Sequence, residues 1–429
     1  MVMDLKFIRE NPDLAKEVIR RRKERVDIDK ILALDEKRRK MIKERDEKRR
    51  ELRVLSESIG KKIRKTKGEG KKLEGIKDAE IEEKKIEARE LSGVIREMEE
   101  NLARIEKELE ELLILCPNII LPDVGDEERV IKEWGKKPGF DFEPLPHWTL
   151  GEALKILDLK ASVKLSGSRF ILFKGKGAIL ERALINFCLD YHTKRHNYTE
   201  ISPPYLNKEE CFFAAGDLPK LADEMYRIRD DPFYLIPTAE VPLINLHRDE
   251  VLREEELPKY YCAYTPCFRR EAGSYGKDVR GIIRVHQFDK VELVKFTRPE
   301  DSEEELQKMV KDAEDILQEL ALPYRIKLLP CSDMAFQSAK TYDIEVWAAG
   351  VKDWLEVSSL SNCTDFQAKR TKTRFRRQDN SLEYCHILNG SGLAFPRLFI
   401  ALVENNQRKD GKIIIPSVLH PYTGFDVIE

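Results

Sequence analysis

The sequence predicts an α+β or α/β body of about 280 residues preceded by an antiparallel helical hairpin. Three observations carry this reading. First, residues 30–112 contain no proline and are rich in Lys, Glu, Arg and Leu, all good helix formers. Second, apolar residues in their second half recur at coiled-coil spacing. Third, beyond Trp148 short strand-like apolar runs alternate with helical ones, and glycine and proline become common.

Composition narrows the class before any motif is considered. The chain has 429 residues, 36% of them charged, with 77 Lys and Arg against 79 Asp and Glu for a net charge of -2. That length has room for two or three domains, and 41% hydrophobic residues suffice for a core. No apolar run approaches the ~18 residues of a membrane span. The opening MVMDLKFIRENPDLAKEV lacks the apolar stretch and small-residue site of a signal peptide. Eight cysteines at 116, 188, 211, 262, 267, 331, 363 and 385 form no CxxC pair, so reduced thiols and a cytoplasmic location are expected.

Within the hairpin, residues 30–72 hold 18 Lys and Arg against 8 Asp and Glu, a balance of +10. Residues 73–112 hold 7 against 14, a balance of -7. The acidic half carries Ile81, Ala88, Leu91, Ile95, Met98, Leu102, Ile105, Leu109 and Leu112 at steps of three, four and seven. The basic half is looser: Ile31, Leu34, Met41, Leu52, Leu55 and Ile59 are interrupted at seam positions by Arg38, Arg45 and Lys48. Lys67, Gly68, Glu69, Gly70 and Gly75 mark the expected tip. Two helices of ~36 residues would reach roughly 50 Å. Opposite charge sets the register of such a pair, and the same basic helix with Lys61, Lys62, Arg64, Lys65, Lys67, Lys71 and Lys72 could also grip nucleic-acid phosphates. Charge alone leaves both readings open.

Residues 116–147 read as a linker punctuated by Pro117, Pro122, Gly125, Pro138 and Gly139, which divides the chain into 1–115, 116–147 and 148–429. In the body, Phe170 to Phe173, Tyr198 to Ile201, Val291 to Val294 and Tyr342 to Val346 read as strands; Gly177 to Tyr191 and Asp301 to Leu320 read as helices.

Three body segments group charged, small and turn residues. The first runs from Thr265 to Glu292, two strands joined by a long loop bearing Gly273, Gly276 and Gly281. Arg269 and Glu271, two apart, would share a strand face, where a guanidinium can clamp phosphate or carboxylate and a glutamate can accept from an amino group. A salt-bridged surface hairpin explains the spacing as well. The second pairs Tyr342–Trp347 with Leu355–Asn362; a carboxylate and hydroxyls there could ligate Mg²⁺, though a half-buried strand alternates the same way. The third runs from Asn389 to Glu404, with Gly390 and Gly392 allowing close backbone approach and Arg397 opening an apolar helix. None of the seven histidines sits at zinc spacing, and His286 reads as a structural hydrogen-bonder. The absence of GxSxG and of GxxxxGK[ST] argues against serine hydrolases and Walker-type ATPases.

Together these segments resemble the three motifs of class II aminoacyl-tRNA synthetases, and within them the seryl-tRNA synthetase family. FRREAGSYGKDVRGIIRVHQFDKVE is similar to motif 2 and NGSGLAFPR to motif 3. The helix ending at Tyr191 with YTEISPPYL is similar to motif 1, placing Pro203 and Pro204 at the dimer-forming strand. Pro237–Glu240 and Glu356–Ser359 match further signatures, and the N-terminal coiled coil matches in size. The resemblance covers essentially the whole chain and resolves the fold to α+β: an antiparallel-sheet class II catalytic domain with an N-terminal coiled-coil arm.

The resemblance implies roles residue by residue. Arg269 would hold the ATP α-phosphate and the serine carboxylate, and Glu271 the adenine amino group, with Arg270, Val285, Val357 and Ser358 completing the ATP site. Arg284 would reach the outer phosphates, and Phe288 and Arg397 would sandwich the adenine. Arg269 and Arg397 would be catalytic. Glu356 and Ser359 would ligate Mg²⁺. Thr238, Ala239 and Glu240 would bind the amino end of serine, and Glu292 and Ser391 its hydroxyl. Arg38, Arg45, Lys61, Lys62, Arg64 and Lys65 would meet tRNA. Arg270 stands where the family more often has a small residue. The activity implied is ATP-dependent activation of L-serine, then transfer to the 3′ end of tRNA(Ser), with selenocysteine tRNA left open as a second acceptor. A homodimer is implied too. Two rivals are an amino acid:carrier protein ligase, whose relatives lack the arm, and a non-catalytic tRNA-binding paralogue, against which every nameable catalytic position is competently filled.

Overall fold

Capping and propensity build the first 116 residues. The computed structural model describes residues 3–68, 76–272 and 280–429. Gly273, Gly276, Glu69, Gly70, Lys71, Lys72 and Gly75, with the side chains of Lys65 and Lys67, lie outside the described residues. The chain divides into two units, 3–116 and 117–429.

In the first unit Asp4 caps helix α1 (Leu5–Glu10) by accepting from Phe7 N–H at 2.8 Å, and Pro12 opens α2 (Pro12–Arg21). Asp27 accepts from Lys30 N–H at 2.9 Å, starting α3 (Ile28–Gly68), and α4 (Ile76–Leu113) returns antiparallel to it. These helices of 41 and 38 residues are longer than expected, because α3 starts two residues earlier and keeps helical geometry to Gly68. Ile81, Ile95, Leu102, Ile105 and Leu109 are buried in the seam. Cross-hairpin ion pairs run in register: Lys30 with Glu108 at 2.7 Å, Arg38 with Glu106 at 2.9 Å, Arg49 with Glu99 at 2.5 Å, and Lys62 with Glu80. The opposite charges of the two helices therefore serve pairing.

The second unit is organised by one sheet. Its strands are β1 (Arg129–Trp134), β2 (Thr199–Glu200), β3 (Lys259–Phe268), β4 (Gln287–Thr297), β5 (Tyr324–Leu328), β6 (Lys340–Ala348), β7 (Asp353–Asn362) and β8 (His386–Ala394). Their order is β1-β5-β6-β7-β8-β4-β3-β2, and every neighbouring pair is antiparallel except β2 with β3. An antiparallel sheet with its helices packed against it is an α+β fold.

Strand alternation separates the two faces. On β4, Val291 and Leu293 enter one hydrophobic core, while Val294 and Phe296 enter another. The first core is closed by helices α6 (Lys176–Arg195), α8 (Ser302–Glu319) and α9 (Phe395–Asn405), with the short helix α5 (His147–Ala153) packed against α9. The second is smaller and includes Phe212, Ile236, Val241 and Phe375. Lys290 and Glu292 alternate with Val291 and Leu293, so they stand on the second face, which leaves room beside its smaller core.

Three expectations change. The segment 116–147 is not merely a linker: Arg129–Trp134 joins the sheet edge against β5, and buried Asn118 donates to the carbonyls of Gln337 and Cys363. Phe170–Phe173 is not a strand, because Ser162 Oγ takes the Phe170 carbonyl and Asp158 N–H the Leu172 carbonyl, leaving only a bridge between Phe173 and Leu157. Pro203 and Pro204 follow β2 rather than sit in it; proline cannot donate to a ladder. All eight cysteines are free thiols. Among the described residues no helix is long and apolar enough to cross a membrane.

Candidate active site

β3 and β4 stay paired to Phe268 and Gln287, and one further rung forms where Arg269 N–H donates to the His286 carbonyl at 2.9 Å. His286 Nδ1 lies 3.1 Å from the Arg269 carbonyl, the structural role expected of it. Beyond this rung the strand ends. Glu271 has φ of +49°, so Arg269 and Glu271 do not share a strand face; the left-handed turn instead brings both to the mouth of one cavity.

That cavity, about 670 Å³, lies on the second face of the sheet and is lined by Thr238, Glu240, Arg269, Glu292, Glu356 and Ser391 among others. A smaller one of about 200 Å³ shares Arg269, Glu271, Arg284, Lys290, Glu356 and Ser391 with it and adds Val285, Phe288 and Arg397. Of the residues singled out in the sequence, Arg270, Ala239, Val357 and Ser358 line neither. Arg270 is exposed and its N–H donates to the Glu224 carbonyl; Ala239 and Val357 are core; Ser358 Oγ donates to the Ser391 carbonyl at 2.5 Å.

The deep end is acidic and buried. Thr238 Oγ donates to Glu292 at 2.9 Å and receives Lys290 Nζ at 2.7 Å, while Lys290 also contacts Glu292. Glu240 opens the short helix α7 (Glu240–Ile244), and its carboxylate takes Gln367 Nε2 at 2.6 Å. Burial, with the charges of Glu292 and Asp217 adding to it, pushes the Glu240 carboxyl up to about 8. Burial likewise raises Asp217 to about 6, against the pull of Arg269 and Lys290.

The other end is cationic and aromatic. The Arg269 guanidinium lies 5.2 Å from the Phe288 ring and its Nε donates to the Pro237 carbonyl at 3.3 Å. Arg284 reaches Glu271 at 3.3 Å. Arg397 donates to the carbonyls of Glu356 at 2.8 Å and Ile283 at 3.3 Å.

The residues expected to hold Mg²⁺ fit it. A bulge in β7 falls between Glu356 and Ser358, and Ser359, the next residue, pairs across to Asp343 on β6. Asp343 Oδ1 is buried without a hydrogen-bond partner, and burial plus the Glu356 charge pushes that carboxyl up to about 7. Hard oxygen donors with an unsatisfied carboxylate beside them suit Mg²⁺.

Sequence reasoning missed Lys290, Asp217, Gln367 and Gln337, all in or against the deep end. Lys290 alone had a signal, as a lysine inside an apolar strand run.

Residues 2–120 match the family model for the seryl-tRNA synthetase N-terminal domain, and residues 224–406 that for the tRNA synthetase class II core domain (G, H, P, S and T). The serine–tRNA ligase of Thermotoga petrophila is 51% identical over 434 residues, covering 100% of both chains. That of Dehalococcoides mccartyi is 49% identical over 433, again covering 100% of both. The chain belongs to the seryl-tRNA synthetase family. The solved seryl-tRNA synthetase from Pyrococcus horikoshii complexed with ATP superposes with a TM-score of 0.90 at 37% identity, covering 99% of each chain. The cytoplasmic serine–tRNA ligase from Naegleria fowleri in complex with AMP gives 0.86 at 29%, over 100% of this chain and 99% of that one. The α+β class II fold of the family is thus the fold of this chain, and the segments that resemble its motifs 2 and 3 form the β3–β4 loop and the β8–α9 junction.

Proposed function

We propose that the paired cavities join L-serine to ATP as seryl-adenylate and then pass the seryl group to the 3′ end of tRNA(Ser). Family membership makes the chain a serine–tRNA ligase with ATP as substrate. The observation that carries the residue assignment is the position of Arg269, which lines both cavities between an acidic pocket and an aromatic slot.

Serine enters with its ammonium towards Glu240 and Thr238 and its hydroxyl towards Glu292 and Ser391. Its carboxylate meets Arg269. Adenine lies between Phe288 and Arg397, its amino group on Glu271, and Arg284 holds the outer phosphates. A carboxylate oxygen of serine attacks the α-phosphorus; the O–P bond forms as the bond to the β-phosphate oxygen breaks, and pyrophosphate leaves with that electron pair. Arg269, fixed by Phe288 and the Pro237 carbonyl, stabilises charge at phosphorus. Held by Glu356 and Ser359, Mg²⁺ would neutralise phosphate oxygens. The ribose hydroxyl of tRNA then attacks the seryl carbonyl carbon; the ester bond forms as the bond to the phosphate oxygen breaks, AMP leaves with that electron pair, and the hydroxyl proton passes to solvent. No enzyme nucleophile is required. Alanine leaves Glu292 and Ser391 without the hydroxyl they receive, a loss worth up to ~10⁴–10⁵ in favourable sites.

On the arm, Lys40, Lys43, Arg50, Lys61 and Arg64 are exposed, whereas Arg38, Arg45 and Lys62 are half-buried with carboxylate partners. The exposed set is what an RNA backbone would meet. We assign tRNA(Ser) to it; a charging assay with selenocysteine tRNA decides whether that is a second acceptor. The active form is a homodimer.

Amino-acid-dependent ATP–pyrophosphate exchange across the twenty amino acids tests the reading. Exchange with serine alone is expected. Exchange led by another amino acid would overturn the serine pocket, and none in folded protein would point to a non-catalytic RNA-binding relative.

A further inference from the structure

The segment that returns from the motif 2 loop to β4 is gripped twice from α9. Near the start of the helix, Arg397 Nε donates to the Ile283 carbonyl at 3.3 Å. Near its end, Glu404 acts through a histidine. Glu404 Oε1 accepts both the His147 N–H and the His147 ring Nδ1–H at 2.8 Å, and Oε2 accepts the N–H groups of Gly350 and Val351 at 2.8 and 2.9 Å. The side chains of His147 and Glu404 are both 0% exposed. With Nδ1 donating to the carboxylate, Nε2 keeps its lone pair, and it receives the Ile282 N–H at 3.1 Å. The contact is close enough to dictate the neighbouring residue. Gly281 has φ of +77°, and a Cβ there would stand 2.0 Å from His147 Nε2. Arg280 packs against the next residue along, its guanidinium 4.9 Å from the Trp148 ring.

We propose that His147, oriented by Glu404, is a positioning residue for ATP. By holding the Ile282 amide it fixes where Arg284 and Val285 enter the smaller cavity. The proposal rests on the reading of that cavity as the ATP site. Neither His147 nor Glu404 lines it, so the effect is transmitted through backbone.

Two substitutions separate the ends of the imidazole. His147→Asn keeps a donor near Nδ1 for Glu404 and loses the acceptor for Ile282; His147→Gln places an acceptor near Nε2 and loses the donor. ATP affinity by calorimetry, and the KM values for ATP and serine in pyrophosphate exchange, should divide accordingly. Asn should weaken ATP binding about tenfold, as expected for one buried amide left without its acceptor, and hold the serine KM within about twofold. Gln should stay within about threefold of wild type for ATP. Equal ATP loss in both variants, or none in Asn at an unchanged melting midpoint, would overturn the relay. If His147→Asn does not fold, Gly281→Ala, whose Cβ would stand 2.0 Å from Nε2 and so displaces the Ile282 contact, carries the same expectation. Wild-type protein that binds ATP but shows no serine-dependent exchange would sink the serine assignment, while the ATP measurements still decide the role of His147.

Discussion

Burial governs the chemistry of Glu240. Its folded pKa, about 8, lies above its ordinary 4.5. Between those values the folded state binds the extra proton, so the stability this group contributes is complete below 4.5 and declines as pH rises towards 8. Glu240→Gln should therefore show a flatter melting temperature than wild type from about pH 5 to about pH 8. Pairing with a serine ammonium requires the ionised carboxylate, so serine binding at neutral pH should release a proton, seen as buffer-dependent heat in calorimetry and absent in the variant. Parallel pH profiles for the two proteins would contradict this. Glu240, Glu271, Glu292 and Glu356 were named through the family resemblance, whereas Asp217 was not. Lys290 was hidden because a lysine within a strand run reads as solvent-facing until neighbouring strands bury it.

At the scale of elements, the glycines of the third motif act differently from what a Gly-rich turn suggests. Gly390 and Gly392 lie inside β8, not in a loop beside it. A Cβ on Gly390 would stand 2.7 Å from the Ser359 carbonyl and 2.8 Å from Leu360 Cα, both backbone atoms of β7. Gly390→Ala must spread β7 from β8, at about 1–3 kcal/mol, read as a lower urea midpoint. Because Ser359 and Ser391 sit on those strands, serine activation should fall with it; a variant of wild-type stability and activity would show that the sheet yields at this point. The helices and long strands were legible because periodicity needs only local sequence. The Phe170–Phe173 run failed because a short apolar stretch does not reveal who takes its carbonyls.

For the whole molecule, each of the two units carries its own buried residues, the seam of the arm and the two cores of the sheet domain. Deleting residues 30–112 should leave a protein that sediments as a dimer and forms seryl-adenylate, yet fails to charge tRNA. Full charging by the deletion protein would remove RNA binding from the arm, and a stable, active monomer would remove the dimer.

The sequence by itself determined the arm, the α+β body, the family resemblance and many of the residues that line the two cavities, because heptads, charge blocks and compact motifs are local signals. Tertiary structure alone decided that the motifs share one face of one sheet, that 129–134 closes its edge, and that His147 and Glu404, 257 residues apart, meet behind the motif 2 loop. Such meetings follow from strand order and burial. Strand order joins residues distant in the chain, and burial turns an ordinary lysine or glutamate into a site residue by removing its water.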